Sequence, residues 1–255
     1  MANRHRLFAV SLVFVLGSAS AMAPERVASK SGESTRAVST GSPHAQLMRF
    51  LLQPVDDPDR LRGYRVAILA ADGVDGFDLD VPRRFLAERG AFVHVVVPRP
   101  AKDFQAAGSA AQREPKMEIM VLEPSGEEHT ASFDQFVDQV QPCEYDLVYL
   151  PSNLTFSDHL AWQMSIAFLQ QAAAEGKPIF VMGNATLVLF KAGLISNRTA
   201  RTNQVEVSVV SPHATADGAA PAGGGLVYAG RDAFDMPALM DELIAALHGR
   251  ASQQQ

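Results

Sequence analysis

The chain has 255 residues, of which 47% are hydrophobic and 20% charged, a composition typical of a globular protein with a sizeable core. Its formal net charge is −6, so no overall basic character argues for nucleic-acid binding. Cys143 is the single cysteine, so an internal disulfide is also excluded.

The first 23 residues have the pattern of a secretory signal peptide. Positive residues at 4 and 6 precede an apolar run at 7–17, which is too short to span a bilayer comfortably. Small residues at 19–23 then offer cleavage sites after Ala21 or Ala23. Cleavage predicts a secreted or periplasmic protein with no membrane segment; the alternative is an uncleaved membrane anchor.

Residues 24–62 are predicted to be a flexible linker that precedes the domain. Between 24 and 42 the chain is rich in Ser, Gly, Ala and charge, with almost no large apolar residue. A short helix could form at 44–54. At the other end of the chain, residues 251–255 are predicted to be a disordered tail.

Buried strands and helices alternate through residues 63–250, which we predict to be one domain. Near-continuous aliphatic runs predict buried strands at 64–71, 91–99, 144–151 and 178–182. Two further strands are predicted at 205–210 and 226–230. Helices are predicted at 77–90, 133–140, 157–176, 185–191 and 236–250. A loop at 72–76 and a hairpin at a sheet edge, 116–133, complete the order. We therefore expect an α/β fold, a flavodoxin-like three-layer sandwich with a mostly parallel sheet and helices on both faces.

The stretch KPIFVMGNATLVLFKAGL, residues 177–194, predicts a buried strand, a sharp turn and a helix. Many α/β hydrolases place a nucleophile at the tip of such a turn. Here the tip is Gly183-Asn184, which has no reactive side chain. A residue with a Cβ is strained at such a tip by about 1–3 kcal/mol, and Gly removes that strain. The alternative is a plain strand-to-helix loop that never held a nucleophile.

Other residues give weaker indications of chemistry. Asp78 could act as a general base, although a carboxylate in the first turn of a helix more often compensates the helix dipole. Cys143 precedes a strand, whereas sites in parallel sheets lie at the carboxyl ends, which favours a structural role. No histidine pair has metal-ligand spacing and no glycine-rich loop has a phosphate-binding pattern, so we predict no metal and no cofactor. Asn153, Asn184 and Asn197 begin glycosylation sequons, which matter only in a eukaryotic secretory pathway.

Four stretches in order carry a family resemblance: the β-α-β unit at 65–96, EYDLVYLP at 144–151, the turn at 177–195, and LVYAGRDAFDMPALMDELIAAL at 226–247. They resemble the ThiJ/PfpI family of the class I glutamine amidotransferase-like superfamily, over about residues 63–249. Within it, the chain is most similar to the C-terminal domain of large-subunit catalases, which also has Gly at the turn. The corresponding stretches here are MGNA and LMDEL.

Carried over one residue at a time, the resemblance implies a site without its usual reactive groups. The family's nucleophilic Cys falls on Gly183 and the following His falls on Asn184. Its oxyanion-binding Gly-Gly, which follows Leu-Pro, falls on Ser152-Asn153. The acid that hydrogen-bonds the thiol falls on Asp78 and is present. A histidine that some members carry after the turn falls near Thr202-Asn203 and is missing.

The signal-peptide pattern predicts export, and the resemblance implies a non-catalytic domain that binds a ligand, stabilises another protein or interacts with a partner. We expect a small polar ligand in a pocket lined by Asp78, Ser152, Asn153, Gly183 and Asn184. Related folds pair near this turn and the first helix, which implies a homodimer. The alternative is an atypical hydrolase, hydratase or amidotransferase-like enzyme that uses Asp78 and this pocket. A third hypothesis, a phosphoacceptor at Asp75 or Asp78, is disfavoured because no ATP-driven phosphotransfer is expected outside the cytoplasm.

Overall fold

An eight-stranded sheet forms the centre of the protein in the computed structural model. The structure describes residues 42–99, 117–153, 159–195, 199–202, 205–209 and 226–251. The strands are β1 (Arg65–Leu69), β2 (Val74–Asp75), β3 (Phe92–Val97), β4 (Glu118–Leu122), β5 (Glu128–Ser132), β6 (Gln135–Phe136), β7 (Leu147–Leu150), β8 (Ile179–Met182), β9 (Thr199–Thr202), β10 (Val205–Val209) and β11 (Leu226–Gly230). The helices are α1 (Pro43–Leu52), α2 (Gly76–Ala87), α3 (His159–Ala174), α4 (Thr186–Lys191) and α5 (Met236–Ala251).

The order of strands in the large sheet is β6-β3-β1-β7-β8-β11-β10-β9. The first six strands run parallel, while β10 and β9 are antiparallel to their neighbours. In the middle of the sheet, Ile68 lies between Val95 and Tyr149. The mostly parallel sheet confirms the predicted α/β, flavodoxin-like fold.

Each face of the sheet has its own hydrophobic core, because successive side chains of a strand point to opposite faces. On β1, Val66 and Ile68 pack in one core with the apolar side chains of α2 and α5. Ala67 and Leu69 pack in the other with those of α3 and α4. The helices therefore cover both faces, as predicted. No helix within the described residues is long and apolar enough to cross a membrane.

The predicted hairpin at 116–133 is present as β4 and β5, which pair antiparallel. It belongs to a separate three-stranded sheet and not to an edge of the large one, because β4 also pairs with β2. The strand β2 falls within residues 72–76, which were predicted to be a loop. Two residues are too few to show a strand pattern in the sequence, so β2 is recognisable only from its pairing with β4.

The predicted short helix at 133–140 is wrong. Residues Gln135–Phe136 form β6, which pairs in parallel with the end of β3, and a 3-10 turn follows at Val137–Gln139. Asp134 fixes this register, because its carboxylate accepts a hydrogen bond from the Val95 N–H (2.7 Å) and its own N–H donates to the Val95 carbonyl (2.9 Å). Tertiary pairing thus overrides the local helical pattern.

The folded domain begins earlier than residue 63, within the segment predicted to be a flexible linker. Ser42 caps α1 by accepting a hydrogen bond from the Ala45 N–H (3.2 Å). Leu47 and Leu61 are buried in the core beside α2 and α5. The Leu61 N–H also donates to the carbonyl of Arg89 (2.7 Å). The predicted signal peptide, linker residues 24–41 and the tail at 252–255 lie outside the described residues.

Candidate functional site

The predicted site residues follow the carboxyl ends of two neighbouring parallel strands. Ser152 and Asn153 come after β7, and Gly183 and Asn184 come after β8, which pairs with β7. Asp78 lies in the first turn of α2, which begins directly after β2, between β1 and β3 of the chain. Parallel strands bring their carboxyl ends to one edge of the sheet, where open α/β folds place their sites. The structure therefore brings all five residues together.

Gly183 has φ = +50°, in the left-handed region. This confirms the prediction that a residue with a Cβ would be strained at the tip of the turn. A Cβ built on Gly183 would also collide with Ser152 Oγ, and it would lie 3.5 Å from the Arg231 carbonyl oxygen. The Ser152 hydroxyl therefore occupies the space that a side chain at the tip would need.

The carboxyl group of Asp78 is buried, with 6% of the residue exposed. Its Oδ2 accepts a hydrogen bond from the Ser152 N–H at 3.3 Å. The backbone on both sides is fixed: the Asp78 N–H donates to the Asp75 carboxylate, and the buried Tyr149 hydroxyl donates to the Asp78 carbonyl. Asp78 therefore joins the start of α2 to the end of β7.

Burial raises the pKa of Asp78 to about 6. Hydrogen bonding by Ser152 opposes this shift, whereas the negative charges of Asp75 and Asp232 add to it. The charged form of a buried carboxyl loses its hydration, which is why its pKa rises. Asp78 is thus mostly ionised at neutral pH and accepts a proton in mildly acidic solution.

Asn153 and Asn184 form a reciprocal pair. The Asn153 N–H donates to Asn184 Oδ1 (3.0 Å), and Asn184 Nδ2 donates to the Asn153 carbonyl (2.7 Å). Asn153 is itself 2% exposed, and its Nδ2 donates to the carbonyls of Ala71 (3.2 Å) and Asp72 (3.0 Å). It also forms an isolated antiparallel bridge with Val74. These contacts fix the loop after β7 to both the turn at Gly183 and the segment before α2.

The two backbone N–H groups that the resemblance assigns to oxyanion binding are therefore occupied by acceptors from the chain itself. The Ser152 N–H faces the Asp78 carboxylate, and the Asn153 N–H faces the Asn184 amide oxygen. An oxyanion hole needs donors aimed at the reacting oxygen. In this structure these two donors point elsewhere.

Sequence reasoning missed an ion pair at the same edge of the sheet. Arg231 follows β11 directly, and its Nε (2.9 Å) and Nη2 (3.1 Å) donate to the carboxylate of Asp235. Asp235 is 1% exposed, and it also accepts a hydrogen bond from the Arg231 N–H. The signal was available, because charged residues directly after a predicted parallel strand belong to this edge.

Cys143 does not belong to this cluster. Cys143 is exposed in a 3-10 turn, Pro142–Glu144, before the amino end of β7. Thr202 ends β9, and Asn203 lies outside the described residues. Among the residues that the structure describes, no three of the His, Cys, Asp and Glu side chains come together in a group that could hold a metal ion.

A family model described as the DJ-1/PfpI family matches residues 64–246. The chain belongs to the DJ-1/PfpI family. The match confirms the resemblance to ThiJ/PfpI proteins and covers the strands, helices and turns that build the site. No curated protein resembles the chain in sequence at a significant level.

The chain is also similar to solved structures of other proteins. A protein from Bacteroides thetaiotaomicron, provisionally named protease I, is 13% identical with a TM-score of 0.52, over 72% of this chain and 99% of that one. A ThiJ/PfpI family protein from Pseudomonas syringae is 15% identical with a TM-score of 0.45, over 76% of this chain and 75% of that one. At such identities the first of these shows a shared fold and no shared activity. The finer resemblance to the catalase domain stays a prediction.

Proposed function

We propose that this DJ-1/PfpI domain performs no covalent chemistry at its turn and works by binding a small polar ligand or a protein partner. The observation that carries this proposal is the position of Ser152 Oγ over the α-carbon of Gly183. Nucleophilic catalysis needs a reactive side chain that reaches the substrate. Here the tip has none, and a neighbouring hydroxyl fills the space where one would begin.

The occupied loop donors support the same proposal. Removing one donor from an oxyanion hole costs about 10²–10³ in kcat. Two donors that the resemblance assigns to this task already bind Asp78 and Asn184. Acyl transfer at this turn would therefore lack both its nucleophile and these two stabilising contacts.

Turnover assays test the proposal directly. Purified protein is offered glyoxal, amide and isonitrile substrates, with Asp78→Ala as the comparison. We expect no turnover above background in either protein. Turnover by the natural sequence that disappears in Asp78→Ala would defeat the non-catalytic proposal.

One observation favours a second candidate, an atypical hydrolase or hydratase that uses Asp78 as general base. A buried carboxylate whose pKa is raised to about 6 is suited to accept a proton near neutral pH. The same assays measure this function. A rate that rises with pH through about 6 would identify Asp78 as the base.

We also propose export of the protein to the periplasm or the medium, because the first 23 residues have the pattern of a signal peptide. Mass spectrometry of the exported protein should find a mature chain that begins near Met22 or Pro24. Full-length protein in the cytoplasm would contradict it.

A homodimer is the assembly we propose. Leu187 and Phe190 on α4 are 52% and 67% exposed beside the turn, which supports pairing there. Sedimentation at micromolar concentration tests the dimer, and a strictly monomeric profile would exclude it.

A further inference from the structure

The strand β5 forms the outer edge of the small three-stranded sheet. On one side it pairs with β4, and no strand among the described residues pairs with its other side. Natural edge strands commonly carry Pro, Lys or a β-bulge, which prevent pairing with another chain. The sequence of β5, EHTAS, has neither Pro nor Lys, and its register with β4 runs without a bulge. Its outer side is therefore open to one more strand.

The hydrogen bonds to β4 show which backbone groups of β5 face this open side. The Phe133 N–H donates to the Met117 carbonyl (3.3 Å), and the Glu127 carbonyl accepts from the Glu123 N–H (2.8 Å). In an antiparallel pair, the backbone groups of every second residue point at the neighbouring strand. The alternate residues direct their N–H and C=O groups outward, and all of them are exposed. They are Glu128, Thr130 and Ser132.

A second copy of β5 can pair with this side in an antiparallel register centred on Thr130. Thr130 then lies opposite its own counterpart, and Glu128 lies opposite Ser132 of the second copy. All three residues exchange backbone hydrogen bonds with the second copy, and the threonine pair adds a favourable cross-strand contact. Each contact is matched by its reciprocal, which is the condition for a dimer with two-fold symmetry.

The sequence of β5 favours this register over its neighbours. Pairing centred on Glu128 would bring two glutamates directly opposite each other, and like charges in that position are destabilising. Pairing centred on His129 would leave Ser132 beyond the end of the second strand. Pairing centred on Ala131 would leave Glu128 beyond it. The register centred on Thr130 pairs the whole strand and opposes no like charges.

We propose that the outer edge of β5 is a self-association surface, on which a second copy of this chain adds its own β5 and joins the two small sheets. This surface involves residues other than those of α4, so the inference goes beyond the homodimer proposed above and does not rest on it. Two strands of about 17 Å bury less than the roughly 1,200–2,000 Å² of a stable interface. The association is therefore weak, reversible and dependent on protein concentration.

Disulfide trapping tests the register. In the proposed pair the two Thr130 α-carbons lie about 5.5 Å apart, within the span of a disulfide. The background is Cys143→Ser, because Cys143 is an exposed thiol. In this background Thr130→Cys should form a covalent dimer at about 0.1 mM protein, measured by mass without reductant. Glu128→Cys is the matched control, since the two Glu128 α-carbons would lie more than about 13 Å apart, and it should link at least roughly tenfold more slowly.

Charge substitutions at Thr130 provide a reversible measurement of the same pair. Thr130→Lys and Thr130→Glu each place two like charges opposite each other, so each should self-associate roughly three- to tenfold more weakly than the natural sequence. An equal mixture of the two variants should associate at least as tightly as the natural sequence. Thr130→Val keeps the backbone donors and should stay within about twofold of it. Sedimentation at several protein concentrations measures all four.

The outcomes separate this surface from other modes of association. Fast linkage through Thr130→Cys with slow linkage through Glu128→Cys, together with recovery in the mixed sample, supports the proposal. Equal linkage at both positions, or a mixture that associates no more tightly than either variant alone, overturns it. The trapping is repeated with Phe190→Ser, which changes an exposed residue of α4. Linkage lost in that variant would show that α4 holds the copies together, and it would also overturn the proposal.

Discussion

Ser152 and Gly183 occupy one shared space at the edge of the sheet: the hydroxyl of the first lies where a side chain of the second would begin. The two residues come from separate loops, after β7 and after β8, and neither predicts the other from sequence. Their contact means that the consequences of a substitution at one position depend on the residue at the other.

Gly183→Ala should destabilise the protein by about 2–4 kcal/mol, since backbone strain at φ = +50° adds to the collision with Ser152 Oγ. Combining it with Ser152→Gly should recover the part that is due to the collision. Urea denaturation of the four proteins in this double-mutant cycle measures the coupling. Gly193→Ala is the control, because Gly193 has φ = +68° with open space around it. If Ser152→Gly leaves the stability cost of Gly183→Ala unchanged, the two side chains do not compete for the same space.

Asp78→Asn should change how stability depends on pH. The pKa of Asp78 in the folded protein is about 6, above its ordinary value of 3.8, so the folded state binds the proton more tightly than the unfolded state. The contribution of Asp78 to the free energy of unfolding therefore rises as pH falls from about 7 to about 4, by at most about 3 kcal/mol. Asp78→Asn should lack this rise while Asp80→Asn, at an exposed position on the same helix, keeps it. Urea denaturation across this range measures the difference, and parallel curves for all three proteins would refute the shift.

Asn184→Ala should cost about 1–3 kcal/mol, because it leaves the N–H of Asn153 buried without its acceptor. Amide hydrogen exchange at Asn153 should become faster. Asn184→Asp keeps an acceptor for that N–H but loses the donor to the Asn153 carbonyl. It should therefore retain the protection of the Asn153 amide hydrogen while losing stability. Unchanged exchange in Asn184→Ala would show that the reciprocal pair does not hold the loop.

Two of the three glycosylation sequons should stay unmodified in the folded protein. Asn153 Nδ2 donates to two carbonyls in a residue that is 2% exposed, and Asn184 Nδ2 donates to Asn153. A glycan on either nitrogen would break these contacts. Expression in a eukaryotic secretory host, followed by peptide mass spectrometry of the folded fraction, provides the test. A glycan at Asn153 or Asn184 in that fraction would contradict the structure.

The sequence predicted the parallel sheet and its helices because each element is long enough to show its own pattern. It did not predict β6, whose two residues pair with the end of β3 beside the hydrogen bonds between Asp134 and Val95. Nor did it predict that α1 belongs to the domain, since Leu47 and Leu61 contact residues distant in sequence. Whether such short elements form depends on the residues that they pair or pack with, which the local sequence does not show.

The members of the candidate site could be predicted, but their hydrogen bonds could not. The family resemblance implied that Asp78, Ser152 and Gly183 belong to one site. The bonds from Ser152 to Asp78 and from Asn153 to Asn184 depend on side-chain directions that no sequence pattern shows. The raised pKa of Asp78 likewise follows from burial, which becomes known only when the loops are in place.

The contact between Ser152 and Gly183 also limits which substitutions could introduce a thiol at this turn. A single substitution that places a cysteine at the turn would set its Cβ against a hydroxyl already there, so a loss of stability would accompany any gain in reactivity. The reverse order, in which Ser152 is replaced first, removes a hydroxyl that opposes the raised pKa of the Asp78 carboxyl. A cysteine at this turn therefore needs changes at both Gly183 and Ser152, and the second change alters the charge state of Asp78.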